Sequence, residues 1–250
     1  MGVIKVIAIG DVHGRWPVVW RALIASGAAT SAFEPSDALL AGRIRVVLLG
    51  DLVHYKRVEA YADAIGEARY DVRTSAHLVR AARAQIRELE RVRAFAEVAG
   101  AGFTVVLGNH DDAVLHREVL ASGSALNHPE FCVEHGGMDL PDTLRAWFLG
   151  FPRSVETLGV HFAHAGPTPS LQTYDAYFYN DQDTKRWWYE KPTWVRDMGY
   201  RLGVYGHTPM PDGVWVDEAH GIAMIDALEL GEYVEVLVDP EQLSVRIGRA

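Results

Sequence analysis

The sequence predicts one α/β domain, and three observations lead there. A short apolar, β-branched run ends in a small residue and then a ligand-type side chain, and this happens five times. The stretches between those runs carry helical periodicity. No tandem repeat, low-complexity tract or shift in composition marks a second domain across the 250 residues, a length that also suits a single large core.

In chain order, residues 3–9 lead into Gly10-Asp11-Val12-His13-Gly14-Arg15. A helix is expected over 16–28, with Val19, Leu23 and Ile24 apolar. Residues 44–49 end in Gly50-Asp51. The following segment, about 60–98, is rich in Ala and Arg and reads as a helical insertion. Val79, Ala82, Ile86, Leu89 and Ala96 form its buried stripe, and Arg80, Arg83, Arg87 and Arg91 a solvated face. Residues 103–107 lead into Gly108-Asn109-His110-Asp111, and 122–150 read as loop, with Gly136-Gly137 and Pro141 as breakers. Residues 160–163 lead into His164-Ala165-Gly166. An aromatic-rich insertion at about 167–200 holds Tyr174, Tyr177, Phe178, Tyr179, Trp187, Trp188, Tyr189 and Trp194. It is expected beside the site, packing as core or lid, with stacking on a nucleobase as the alternative. Residues 202–205 lead into Gly206-His207-Thr208-Pro209, and 221–247 read as strands closing the second half of the sheet.

Glycine directly after a strand lets the backbone turn sharply and brings the next side chain close to a ligand. Sites in α/β sheets gather at the carboxyl ends of strands. The five strand ends therefore deliver Asp11, His13, Asp51, Asn109, His110, His164 and His207 to one rim. These are oxygen and nitrogen donors without cysteine, suited to manganese, iron or zinc. Seven exceed what one tetrahedral ion needs. They suit two ions about 3.5–4 Å apart, with a water or hydroxide held between them.

Composition narrows the classes. The net charge of −9 argues against non-specific nucleic-acid binding, though not against a small anionic substrate. One cysteine, Cys132, gives no disulfide framework. The apolar start is too short for a signal peptide, Val6 stands where a myristoylation motif wants Ser or Thr, and no run approaches membrane-spanning length. A soluble cytoplasmic protein, with no membrane partner, is expected. His77, His116, His128, His135 and His220 have no strand-end setting and read as structural or surface residues, His161 reads as packed, and His54 stays open.

The ordered set Gly10-Asp11-Val12-His13-Gly14, Gly50-Asp51, Gly108-Asn109-His110-Asp111, His164-Ala165-Gly166 and Gly206-His207-Thr208-Pro209 resembles that of the calcineurin-like metallophosphoesterases. The similarity spans residues 10–209 and is to the bacterial branch related to phosphoprotein phosphatases and symmetrical diadenosine tetraphosphatases. It implies an α/β/β/α sandwich of two packed mixed β-sheets flanked by helices. It implies that Asp11 and His13 hold a first divalent metal, that Asp51 bridges, and that Asn109, His164 and His207 complete a second, with manganese favoured and iron or zinc as alternatives. His110 becomes the general acid and Arg15 a phosphate ligand. One departure stands out at Gly50-Asp51-Leu52-Val53-His54-Tyr55-Lys56-Arg57. His54 stands where an Asp would orient the catalytic histidine, and Tyr55 where an Arg would grip phosphate. Lys56 or Arg57 could substitute in binding substrate, and Asp111 could orient His110. The expected reaction is hydrolysis of a phosphomonoester, such as a small phosphorylated molecule or a phosphoserine or phosphothreonine protein, by a two-metal-bound hydroxide. The alternatives are a dinucleoside polyphosphate pyrophosphohydrolase, a phosphodiesterase, and a silent metal-binding scaffold, against which the complete motif set argues.

Overall fold

The computed structural model describes residues 2–120, 126–167 and 187–250. Two five-stranded mixed sheets pack face to face. The first comprises β1 (Ile4–Ile9), β2 (Ile44–Leu48), β3 (Phe103–Val105), β9 (Glu232–Val238) and β10 (Leu243–Arg249), in the order β10-β9-β1-β2-β3. The second comprises β4 (Ser154–Thr157), β5 (Val160–Ala163), β6 (Leu202–Pro209), β7 (Trp215–Asp217) and β8 (Ile222–Asp226), in the order β4-β5-β6-β8-β7.

The central strands are buried on both faces towards their carboxyl ends, which is why Val6–Ile9 in β1 and Val46–Leu48 in β2 read as unbroken apolar runs. In β1, Val6 and Ala8 point into the core between the sheets, where they join Val204, Ala223 and Val236. Ile7 and Ile9 point the other way, towards α1 (Trp16–Ala25), α4 (Ser75–Ala99) and α6 (Asp142–Leu149). β1, β2 and β3 run parallel, as do β5, β6 and β8. Their carboxyl ends form the rim that carries the site.

Four expectations need correction. The last strands do not all close one sheet: β8 belongs to the second, while β9 and β10 return beside β1 in the first. Hydrophobic period identifies a strand but not its neighbours. Residues 122–150 are not loop throughout, because Pro141 precedes α6 rather than breaking structure, and Leu144 and Phe148 bury one face. The helix expected over 16–28 ends at Ala25, followed by Gly27 at φ 79°. The segment at 60–98 holds two helices, α3 (Val58–Ile65) and α4. The buried stripe of α4 runs through Leu78, Ala82, Gln85, Ile86, Leu89, Val92 and Phe95, so a polar glutamine sits within it.

The arginine face of α4 is not uniformly solvated. Arg80 bonds Glu67 at 2.5 Å and the carbonyl of Ile65, tying α4 to α3. The Arg91 guanidinium lies over the rings of Trp20 and Phe33. Residues 168–186, including Tyr174, Tyr177, Phe178 and Tyr179, lie outside the described residues. Trp187 and Trp188 pack on the outer face of the second sheet with Tyr205 and Met224, and the Trp187 indole donates to the Ala165 carbonyl at 3.1 Å.

Candidate metal centre

Most motif residues sit just beyond the end of a strand, and one lies within a strand. Asp11 follows β1 and Asp51 follows β2, while Asn109 and His110 begin α5 (Asn109–His116), behind β3. His164 follows β5 directly. His207 lies inside β6, where the register against β8 shifts between Tyr205 and Pro209. Seven described non-glycine residues have positive φ, and four are here: His13 at 42°, Asp51 at 51°, His54 at 65° and His207 at 61°. Such conformations cost about 1–3 kcal/mol each and persist where the surroundings enforce them. Glycine is required beside them. A Cβ on Gly206 would collide with Asp11 Oδ1, and one on Gly108 with the Asp51 backbone and carboxylate.

The backbone aims both carboxylates. Asp11 Oδ1 accepts from the His207 N–H at 2.8 Å, and Asp51 Oδ1 from the His110 N–H at 2.9 Å. Asp51 Oδ2 is left 3.3 Å from His13 Nε2 and 3.5 Å from His164 Nε2. The imidazoles are fixed by carbonyls, which can only accept. His13 Nδ1–H donates to His54 O at 2.8 Å, and His164 Nδ1–H to Leu49 O at 2.6 Å. Each ring thus turns a bare Nε2 lone pair inward, the tautomer a metal ligand needs. Asn109 Oδ1 lies 3.0 Å from His164 Nε2 and 3.2 Å from His207 Nδ1.

Two donor sets emerge, His13 with Asp51 and His110, and Asp11 with Asp51 and His164, the donor atoms of each lying within 4.8 Å of one another. Asp51 belongs to both. All five residues are buried. Burial, then the nearby Asp226 and Asp51 carboxylates, push Asp11 well above the usual carboxylate range. Burial also opposes ionisation of Asp51, but His164, His110 and His13 outweigh it and hold Asp51 low. Buried carboxylates crowded together, with inward lone pairs from two imidazoles, fit divalent cations.

The other expected site residues are placed as follows. Asp111 does not touch the His110 ring. Its carboxylate accepts from the Leu52 and Gly108 N–H groups at 2.8 and 3.1 Å, and burial raises its pKa to about 7. The group hydrogen-bonded to the His110 ring is His54, Nδ1 to Nδ1 at 2.8 Å. Lys56 bonds both Asp226 oxygens, at 2.8 and 2.7 Å. Arg15 pairs with Glu229, and Arg57 lies 3.6 Å from the same carboxylate. Together with His13, Tyr55 and Arg87, these three cations line a cleft of about 760 Å³. Arg87, read as solvated surface, therefore faces the cleft. His128, read as structural, is buried against His54 and His110. No motif or period marks its loop, so the sequence carries no signal for it.

Packed mixed sheets with a carboxylate and imidazole cluster at their rim define a metal-dependent hydrolase. The model of the calcineurin-like phosphoesterases matches residues 4–235, so the chain belongs to that family of metal-dependent phosphoester hydrolases. No curated protein matches it. Among solved structures, a candidate diadenosine tetraphosphatase is 17% identical with a TM-score of 0.52, covering 98% of this chain and 94% of its own. A cold-active protein-tyrosine phosphatase from Shewanella is 15% identical with a TM-score of 0.58, covering 98% and 80%. A serine/threonine phosphatase from Saccharomyces cerevisiae is 11% identical with a TM-score of 0.53, covering 99% and 80%. These likenesses establish the shared fold. Among the described residues no helix is long and apolar enough to cross a membrane.

Proposed function

We propose that this chain is a single-domain, cytoplasmic phosphomonoesterase working with two divalent cations, manganese first and iron or zinc as alternatives. The observation that carries this reading is Asp51: buried, held at φ 51°, and common to both donor sets. Asp11, His13 and Asp51 would hold one cation, and Asp51, Asn109, His164 and His207 the other. Cations bound there would lower the pKa of a water towards neutrality and offset charge on the phosphate.

The chain's own groups do the rest. Arg15, Lys56 and Arg57 bind phosphate oxygens at the mouth of the cleft, where Glu229 and Asp226 hold them ready. His110 gives a proton to the leaving oxygen. Its main chain is tied to Asp51 and its Nδ1 to His54, which leaves Nε2 for donation. Asp111 ties the Leu52 and Gly108 turns together rather than acting on substrate.

A phosphoanhydride in a dinucleoside polyphosphate is the second reading. The cleft, at about 760 Å³, exceeds what one phosphate fills, and one structural neighbour is described as a candidate diadenosine tetraphosphatase. The test supplies manganese, iron or zinc to metal-stripped protein and follows hydrolysis of p-nitrophenyl phosphate, a phosphoserine peptide and diadenosine tetraphosphate. Metal-dependent turnover of the first two supports the leading reading. Turnover of the dinucleotide alone replaces it with the second, and no turnover with any metal refutes both.

A further inference from the structure

His54 is more than a substitute at one position, because a buried circuit surrounds it. Its N–H donates to Gln85 Oε1 at 2.7 Å, its carbonyl accepts from His13, and its ring stacks on His128 at 4.7 Å and 9°. His128 Nδ1 lies 2.7 Å from the Tyr61 hydroxyl, which itself donates to Glu130 Oε1. Gln85 Nε2 donates to that same oxygen at 3.0 Å, which closes the circuit back to His54. All five side chains are at most 2% exposed.

A polar circuit this deep is a poor device for stability. Desolvating polar groups is costly, and the circuit is incompletely satisfied. Among the described residues, His54 Nε2, His128 Nε2 and Glu130 Oε2 have no hydrogen-bond partner. What the circuit does fix is the plane and position of one imidazole. His54 is held along its backbone by Gln85 and across its ring by His128, with Phe131 tilted beside it at 6.1 Å, and its Nδ1 meets His110 Nδ1. Only one proton fits between two nitrogens 2.8 Å apart, so the His54 ring determines how the His110 ring sits.

We propose that His54 is the positioning residue of His110, and that Gln85, Glu130, Tyr61 and His128 form the clamp that holds it. The inference rests on the reading of His110 as the proton donor. In that step the His110 Nε2–H bond breaks and an O–H bond to the leaving oxygen forms, and the ring passes from imidazolium to neutral imidazole, keeping the Nδ1–H that it donates to His54 Nδ1. The clamp reaches the site from α3, α4 and residues 128–130, none of which carries a metal-ligand motif.

The test compares two aryl phosphates. Phenolate leaves poorly and needs the proton, whereas p-nitrophenolate leaves without it. His54→Ala should lower kcat on phenyl phosphate about 100-fold, and on p-nitrophenyl phosphate by less than about tenfold. KM and metal content should not change. His54→Asn, whose amide oxygen can still accept from His110, should restore most of the loss. Glu130→Gln, which nearly keeps the shape of the clamp, should show the same selectivity more weakly. Equal losses on both substrates with normal metal content, or no loss on either, would overturn the proposal. Inactive wild-type protein would sink the proposed function instead. The clamp is then judged from the two-bond ¹⁵N–¹H spectrum of the His110 ring, which should change in both His54→Asn and Glu130→Gln. Unchanged spectra in both would refute it.

Discussion

Replacing Asp51 with asparagine removes one charge and almost no volume. The amide oxygen can keep the 2.9 Å bond from the His110 N–H, so the turn should survive. What is lost is the charge shared by two donor sets whose atoms lie within 4.8 Å of one another. A cation enclosed by either set is no farther than that from the Asp51 oxygen. At an effective dielectric constant of about 20, a divalent ion and a unit negative charge at that separation attract by roughly 7 kcal/mol. The amide dipole and solvent reorganisation recover much of this. Even if only about 2 kcal/mol is lost at each ion, affinity falls about 30-fold per site. Calorimetric titration of metal-free protein with manganese should therefore show both sites weakened together. Turnover of p-nitrophenyl phosphate at limiting manganese should fall about 1,000-fold, since both ions are needed. A variant that binds two equivalents with wild-type affinity, or keeps a tenth of the turnover, would refute the assignment of Asp51 as the shared ligand. So would the loss of only one site.

Two further predictions probe the surroundings. Lys56→Met leaves Asp226 buried beside Asp11 without its cation, a change of the kind that costs about 3–5 kcal/mol. The metal-free variant should melt at least about 6 °C below wild type, regain more of that on adding manganese, and show a raised KM; an unchanged melting temperature would contradict the pairing. His161 is buried and stacked on Tyr200 at 4.5 Å, and burial holds its pKa at about 4. The unfolded chain then binds more protons between about pH 6.5 and 4, so stability is full above that window and declines as pH falls through it. The shift corresponds to at most about 3 kcal/mol, and His161→Gln should flatten the melting profile over that range. A wild-type profile as flat as the variant's would show that His161 protonates freely in the folded state.

How legible each part was depends on how local its cause is. β1 was legible because burial on both faces makes Val6–Ile9 apolar without a break, and the glycines because their neighbours forbid a Cβ. The order of Asp11, Asp51, Asn109, His164 and His207 follows from strands ending at one rim. β4 and β7 were missed, being edge strands of four and three residues with no fully buried position. Their pairing is imposed by β5 and β8. Gln85 sat in a helix whose apolar stripe was legible, yet its function comes from His54, 31 residues away in sequence. His128 and Glu130 were invisible for the same reason.

The departure after Asp51 makes sense when its three residues are taken together. His54 turns to His110 and is stacked by His128, Tyr55 packs edge-on against Tyr61 at 4.9 Å, and Lys56 crosses to Asp226. The first two bind the turn to α3, α4 and the 126–131 segment, and the third binds it to the end of β8. A carboxylate in place of His54 would add another buried negative group beside Asp51 and Glu130, while Lys56 is already paired with Asp226. An imidazole fills the place without adding charge. It also presents a flat face to His128, which a carboxylate cannot do. On this argument the changes at 54, 55 and 56 belong with the helices that follow them. Replacing His54 with Asp alone should therefore strain the clamp rather than improve the enzyme, unless Glu130 is neutralised with it.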